Sequence, residues 1–192
     1  MKKSEKLFID ITFELLYKKG YDGTSITELL DIANLTKGSV YYHFKSKHIL
    51  VLATIKHYLE FILEEHWVKP LKESNTPIET LINQINAYHN MFADDNHFLQ
   101  VKHGCPLSNF ISDMSDQDSE IFDYLSSVYT RWQLAVEDAL LRADTKTAFD
   151  AKKQALYIIS SIEGSIGSAK AHNNIQSLKD CFEILNNYIE TL

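Results

Sequence analysis

One stretch of this 192-residue chain, from Ile32 to Leu59, carries basic residues without any acidic ones. That stretch holds four lysines and three histidines and contains no aspartate or glutamate. The whole chain has a net charge of -7, so the other segments are acidic on balance. A segment without acidic side chains can face a polyanion while the rest of the molecule repels it. The alternative is an ordinary solvated face of a charged helix.

Eight residues in and beside a predicted short helix can bind phosphates or the edges of nucleic-acid bases. They are Thr36, Lys37, Gly38, Ser39, Tyr41, Tyr42, His43 and Lys47. The unpaired N–H groups of a helix N-terminus attract phosphate, and Gly38 lets the backbone approach closely. The hydroxyl and imidazole groups offer hydrogen bonds on a rigid frame, while Lys47 begins the next helix within reach of backbone phosphates.

Capping residues and helical periodicity divide the N-terminal part into four helices. Apolar residues recur at helical spacing up to Gly20, which tolerates a positive φ and ends the first helix. Ser25 with Glu28 fits a capping box, and Asn34 suits a left-handed turn. The predicted helices are residues 7–19, 25–33, 36–44 and 46–67, the last ending before Pro70. The second and third have the lengths and spacing of a DNA-binding helix-turn-helix.

Residues 6 to 56 resemble the tetracycline-repressor (TetR) family of transcriptional regulators. Three parts of KKGYDGTSITELLDIANLTKGSVYYHFKSKHIL carry the resemblance, namely GYDGTS, TKGSVYYHF and KSK. The chain departs from the family at Asn34, where a glycine is usual, and at Leu30, where a small alanine is usual. Asparagine is the mildest replacement for glycine in a left-handed turn.

The resemblance implies that the helix-turn-helix binds operator DNA. It implies that Thr27, on the helix before the recognition helix, contacts a phosphate. It also implies that the following side chains face the DNA: Thr36, Lys37, Ser39, Tyr41, Tyr42, His43 and Lys47. One of the two tyrosines can instead pack inward with Val40 and Phe44. Repression is the usual mode of the family, and activation is the second possibility.

The rest of the chain is predicted to be helical as well. Pro77, a first-turn proline, predicts the start of a fifth helix. An irregular region is expected at 96–114, followed by helices at 117–141, 148–171 and 176–192. Six glycines and three prolines are few, which favours an all-α protein of about nine helices. We expect a DNA-binding domain at 1–47 and an effector-binding and dimerisation domain at 48–192, mechanically coupled through the fourth helix because no flexible linker separates them.

Two C-terminal segments, GCPLSNFISDMS (104–115) and IEGSIGSAKAHNNIQSLKD (162–180), resemble motifs of one subgroup of the family. In the family the final two helices pair with those of a second copy, which implies a homodimer. The apolar residues available for this pairing are Ile158, Ile162, Ile166, Ala169, Leu178, Phe182, Leu185 and Ile189, with Gly164, Gly167 and Ser168 as small neighbours. The alternative is that this apolar face belongs to the core of the protomer.

An effector pocket is expected among helices four to eight, where aromatic residues are plentiful. The candidate residues are Phe61, Tyr88, Phe92, Phe110, Tyr129 and Trp132. Aromatic residues at helical spacing also suit a plain core, and the sequence leaves the chemistry of the effector open.

Cys105 is a candidate sensor of electrophiles or oxidants. It follows Gly104 and precedes Pro106, so the thiol is expected near a helix N-terminus, where the dipole favours thiolate. Lys170, in the second subgroup motif, is a conceivable partner. The alternative for Cys105, and for Cys181 on the last helix, is a small buried hydrophobic residue.

The sequence disfavours several other classes of protein. No apolar run approaches the roughly 20 residues that cross a bilayer, and the charged N-terminus MKKSEKLFID is unlike a signal peptide. The histidines show no metal-ligand spacing such as HExxH, and no orienting residue for a nucleophile is apparent near Cys105. We therefore expect a cytoplasmic protein that is not an enzyme and has no cofactor or metal. A helical ligand-binding or scaffold protein that never touches DNA is the remaining alternative.

Overall fold

The computed structural model describes residues 2–144 and 149–192, and every regular element in these ranges is helical. The helices are α1 (Lys3–Gly23), α2 (Ile26–Ala33), α3 (Lys37–His43), α4 (Lys47–Leu63), α5 (Lys69–Glu73), α6 (Pro77–Ala93), α7 (Pro106–Met114), α8 (Ser119–Arg142), α9 (Ala151–His172) and α10 (Ile175–Glu190). A π-turn, Glu64–Val68, joins α4 to α5, so the described ranges hold nine separate helices. This confirms the all-α prediction. None of the described helices is long and apolar enough to cross a membrane.

Short-range signals begin and end α2 where the sequence predicts, whereas α1 begins earlier, at Lys3, and continues past the predicted stop at Gly20 to Gly23. Gly20 has φ 73° and ψ -179°, a conformation essentially restricted to glycine, and it kinks α1 before its last turn. Ser25 Oγ accepts a hydrogen bond from the Glu28 N–H, which confirms the predicted cap of α2. Asn34 ends α2 in the left-handed conformation, with φ 51° and ψ 46°. The Glu28 carboxylate pairs with Lys19.

The sequence predicted that the fourth helix ends before Pro70, but the structure shows that it continues past this residue. It passes through the π-turn and continues to Glu73. In this turn an N–H bonds five residues back, as Lys69 N–H does to the Glu64 carbonyl. The wider turn accommodates a proline, whose ring would crowd the carbonyl four residues earlier in a regular α-helix.

Helix α7 occupies part of the region that the sequence predicted to be irregular. Its residues Leu107, Phe110 and Met114 are spaced three and four positions apart and are buried. The polar residues between them and the short length of the helix obscure this pattern in the sequence. The predicted start of α9 at Ala148 lies outside the described residues, and the described helix begins at Ala151.

Two hydrophobic clusters hold the helices together. The smaller cluster consists of Phe8, Ile9, Leu15, Leu29, Val40, Phe44 and Leu50. The larger cluster extends from α4 to α10 and also includes Phe13 and Leu16 of α1. Because α1 and α4 contribute to both clusters, the helix-turn-helix packs directly on the rest of the protein. The domain boundary at residue 47 falls where α4 begins, and it stays a prediction.

The apolar residues that the sequence offered for a dimer interface pack inside the protomer. Ile158, Ile162, Ile166, Ala169, Leu178, Phe182, Leu185 and Ile189 are each at most 4% exposed. The core alternative therefore holds for this face of α9 and α10. Their opposite faces are open: a Cβ added at Gly164 or Gly167 meets no described atom within 4 Å, and Ile184 is 71% exposed.

Replacing Gly20 with alanine is expected to lower the free energy of unfolding by about 1–3 kcal/mol. The backbone there suits glycine, and the new Cβ would lie 2.7 Å from Asp113 Oδ2. Urea unfolding followed by circular dichroism measures the loss. Gly38→Ala is the matched control, because its Cβ would meet only Thr36 Oγ at 4.0 Å. Equal unfolding midpoints for the two variants would contradict this account of the turn.

Candidate nucleic-acid interface and effector cavity

Helix α3 turns its polar side to solvent and its apolar side to the smaller hydrophobic cluster. Val40 and Phe44 are 1% and 4% exposed, whereas Tyr41 and Tyr42 are 38% and 68% exposed. Neither tyrosine therefore packs inward with Val40 and Phe44. The other predicted contact residues of α2 and the start of α3 are exposed or partly exposed, namely Thr27, Thr36, Lys37, Gly38 and Ser39.

Two lysines hold their ammonium groups near the exposed tyrosine rings. Lys37 Nζ lies 5.8 Å from the centre of the Tyr41 ring, and Lys2 Nζ lies 5.1 Å from the centre of the Tyr42 ring. Lys2 is a residue that the sequence-based site omitted; three lysines within the first six residues were the available signal. The surface of α3 thus combines positive charge with aromatic faces, a combination that suits phosphates and bases.

His43 and Ser39 also stabilise the fold around α3. His43 Nε2 lies 2.9 Å from Ser4 Oγ, and the imidazole meets the Phe8 ring edge-on with ring centres 6.0 Å apart. Ser39 Oγ donates a hydrogen bond to the Thr36 carbonyl at 2.5 Å. Thr36 precedes α3 without a side-chain cap. His43 therefore fixes α3 against α1 in addition to its predicted place at the DNA surface.

Lys47 joins the start of α4 to the turn after α1. Its Nζ donates a hydrogen bond to the Tyr21 carbonyl at 2.5 Å and lies 4.1 Å from the centre of the Tyr21 ring. Partial burial lowers the pKa of Lys47, and the negative charge of Asp22 opposes this change. An ammonium group has three N–H donors, so two remain for a phosphate.

Polar contacts connect this region to α7 and α8. Tyr21 N–H donates a hydrogen bond to Asp113 Oδ2 at 3.2 Å. His48 lies between two carboxylates, with Nδ1 2.5 Å from Asp118 Oδ2 and Nε2 3.0 Å from Glu120 Oε2. Burial alone would lower the pKa of His48, but the hydrogen bonds and charges of the two carboxylates outweigh it and raise the pKa.

A small cavity lies between α4, the π-turn, α6, α7 and α8. Its volume is about 20 Å³, which is room for about one water molecule. Its walls combine apolar residues of α4 with three of the residues that the sequence offered for an effector pocket: Tyr88, Cys105 and Trp132.

The other five candidates are not among the cavity walls in the described part of the chain: Phe61, Phe92, Phe110, Tyr129 and Lys170. Phe61 is 53% exposed, whereas Phe92 and Phe110 are buried in the core. Tyr129 lies beside the cavity, its ring centre 6.4 Å from that of Trp132. Lys170 Nζ donates a hydrogen bond to Asn109 Oδ1 at 3.1 Å.

Cys105 lacks the activated thiol that its position in the sequence suggested. It does stand at the N-terminus of α7, but it is only 5% exposed. Burial and the negative charge of Glu163 raise the pKa of the Cys105 thiol well above its ordinary value. The expectation of a thiolate is therefore wrong, because lost hydration outweighs the helix dipole. The alternative of a small buried residue describes Cys105, while Cys181 is only partly buried.

The contacts of His48 predict that part of the stability depends on pH. Protonated His48 stabilises the fold fully below its ordinary pKa of 6.5, and this stabilisation is lost as the pH rises through the higher folded value. The free energy of unfolding of wild type is expected to exceed that of His48→Gln by up to about 1 kcal/mol near pH 5.5 and by less near pH 8.5. Urea unfolding at both pH values measures this, with His57→Gln on the same helix as control. A difference independent of pH would contradict the ion-pair account.

Family comparisons match both parts of the chain. Residues 8–54 match the family described as bacterial regulatory proteins, tetR family. Residues 77–183 match the family described as transcriptional regulator LmrA/YxaF-like, C-terminal domain. The second match alone spans more than half of the chain.

Known relatives agree with these matches. The chain is 26% identical over 191 residues to an HTH-type transcriptional regulator in the lacX 3' region of Lactococcus lactis subsp. lactis, covering 99% of this chain and 95% of that protein. It is 31% identical over 62 residues to IcaR of Staphylococcus epidermidis, the negative regulator of the biofilm operon icaADBC. This match covers 30% of this chain and 34% of IcaR. A TetR-family structure from Agrobacterium tumefaciens has the same fold, with a TM-score of 0.84 and 16% identity over 96% of each chain. The chain therefore belongs to the TetR family of DNA-binding transcriptional regulators.

Proposed function

We propose that this protein is a homodimeric repressor that binds its operator through α3 and is released by an effector in the cavity beside α4. The exposed side of α3, with Lys37, Tyr41 and Tyr42 outward on a fixed helix, is the observation that carries operator recognition. The acid-free stretch supports it, because phosphates favour surfaces without negative charge. The name of IcaR as a negative regulator supports repression.

Substitutions on this surface are expected to separate overall affinity from sequence preference. Lys37→Ala removes a phosphate contact, so it should weaken binding to all sequences alike and reduce the salt slope by about one. Lys47→Ala should act in the same direction, but it also removes the contact with Tyr21. Thr36→Ala or Ser39→Ala should change the preferred site. Gel-shift titrations against DNA flanking the coding region, at several salt concentrations, measure these effects.

Lys72→Ala, at the distant end of α5, is the matched control and should leave operator affinity unchanged. Full operator affinity in Lys37→Ala, or binding that is independent of salt, would count against the proposed interface. Absence of DNA binding by the wild type would favour the helical ligand-binding or scaffold protein instead.

The outer faces of α9 and α10 are the surfaces on which two copies are proposed to pair. Gly164 and Gly167 allow another helix to approach closely, and Ile184 offers an exposed apolar anchor. A symmetric pair presents two copies of α3, which matches a palindromic operator. This surface keeps Gly164 and Gly167 from the set that the sequence offered and leaves out its large apolar residues, which are buried in the protomer.

Ile184→Glu is expected to convert the dimer to monomers, because it places a charge in the centre of an apolar contact. Size-exclusion chromatography with light scattering measures the mass in solution. Leu134→Glu, on an α8 residue that is 55% exposed, is the matched control and should stay dimeric. A wild type that is monomeric, or an Ile184→Glu protein that is dimeric, would refute this interface.

Two helices connect the proposed effector cavity to the operator surface. Helix α4 contributes Leu63 to the cavity and begins at Lys47, while α7 follows Cys105 and carries Asp113, which binds the Tyr21 N–H. A ligand that moves either helix therefore changes the placement of α3 relative to that of the second copy. Ligand and operator should then weaken each other's binding by the same factor.

A further inference from the structure

Glu163 of α9 is a partly exposed residue whose Oε1 atom is buried, and its carboxyl group lies near Cys105, which lines the cavity. Its Oε2 atom accepts a hydrogen bond from Ser108 Oγ, and the Cys105 thiol lies close enough to interact with the carboxyl group, while its Oε1 atom is buried and accepts no well-formed hydrogen bond among the described residues. The neighbouring thiol of Cys105 forms part of the cavity wall. Burial raises the pKa of Glu163, since the charged form has lost its hydration.

Four aromatic rings surround the same region. Ring centres are 4.9 Å apart for Trp67 and Trp132, 5.6 Å for Trp67 and Tyr88, and 6.4 Å for Tyr129 and Trp132. The Trp132 Nε1 atom is buried and also lacks a partner in the described ranges. Tryptophan faces attract cations more strongly than other aromatic side chains do.

Buried polar atoms without partners are costly, at about 1–3 kcal/mol each, so the free oxygen of Glu163 calls for a physical explanation. A ligand with a positively charged N–H donor would satisfy the free oxygen of Glu163 and offset the loss of hydration. The aromatic faces favour the same charge. Leu59 and Ile62 of α4 line the cavity and suit a hydrocarbon body.

We infer that the effector is a small organic ammonium ion, with its nitrogen on Glu163 and its apolar body between the aromatic rings. This inference rests on the proposed function, because it gives a ligand class to the same cavity. At about 20 Å³ the cavity is smaller than such a ligand, so its walls must separate on binding. Trp67 lies in the π-turn that continues α4, so displacing it moves the helix that begins at Lys47.

The test uses 2-phenylethylamine, which is protonated at neutral pH, and propylbenzene, a neutral probe of nearly the same shape. The chain has two tryptophans, Trp67 and Trp132, and both line the cavity, so tryptophan fluorescence reports binding at this site. Wild type is expected to bind the amine at least about tenfold more tightly than propylbenzene, a difference of about 1.4 kcal/mol.

Glu163→Gln keeps the size of the side chain and removes its charge, so it should lose the preference for the amine and keep its affinity for propylbenzene. Glu190→Gln, exposed at the end of α10, is the matched control and should behave as wild type. The affinity of wild type for the amine should rise with pH, because the cation binds the ionised carboxylate and the pKa of Glu163 is raised. In Glu163→Gln the affinity should not change with pH over the range in which the amine stays protonated.

Equal affinity of wild type for the two probes, including no binding of either, would overturn the inference. Equal amine binding by wild type and a folded Glu163→Gln would do the same, and Glu163 would then be a structural group satisfied by water. Circular dichroism shows whether the variant is folded. If the variant is unfolded, the pH dependence of amine binding by wild type decides the question, and an affinity that does not change with pH overturns the inference. Gel shifts without any ligand test operator binding separately from ligand binding. If the protein binds its operator but does not prefer the amine, the inference about the ligand class is wrong and the proposed repressor function stands.

Discussion

The turn after α1 is the contact on which the proposed coupling between the operator surface and the cavity depends. The backbone conformation of Gly20 brings the Tyr21 N–H to Asp113 of α7, and the Tyr21 carbonyl accepts a hydrogen bond from Lys47 of α4. One residue therefore holds two of the helices that border the cavity. A side chain at Gly20 would collide with the Asp113 carboxylate, so both contacts require the conformation that glycine allows.

Helix α7 makes this arrangement sensitive to events in the cavity. Its nine residues span about 13 Å, with Cys105 and Pro106 at the cavity end and Asp113 near the other end. Packed interiors shift between discrete arrangements and do not deform smoothly, so a displacement at one end passes along the helix. The carboxylates around His48 add a second connection, from α4 to the start of α8. The proposed coupling therefore has more contacts to act through than the fourth helix alone, which was the route that the sequence predicted.

The features that follow from neighbouring residues are the ones that the sequence predicts well. Gly20, Ser25 and Asn34 each act within one helical turn; Ser25 and Asn34 are found in their expected roles, and Gly20 has the expected positive φ but kinks α1 where it was expected to end it. An apolar stripe on α9 shows that one face is buried, but it does not show whether that face meets its own chain or a second copy. The pKa of Cys105 depends on Glu163, which is distant in sequence and which nothing near Cys105 indicates. The π-turn and the contact of Lys2 with Tyr42 likewise arise only after packing.

Lys47 relates DNA binding to the state of the turn through a single ammonium group. Burial lowers its pKa, so a phosphate beside it would favour the charged form that also binds the Tyr21 carbonyl. A bound phosphate would then stabilise the arrangement in which α4 begins against Tyr21. An effector that moves α4 or α7 has to draw Lys47 away from one of these two partners. Under the proposed function, operator and effector therefore favour opposite arrangements of the same contact, and linkage requires each to weaken the binding of the other by the same free energy.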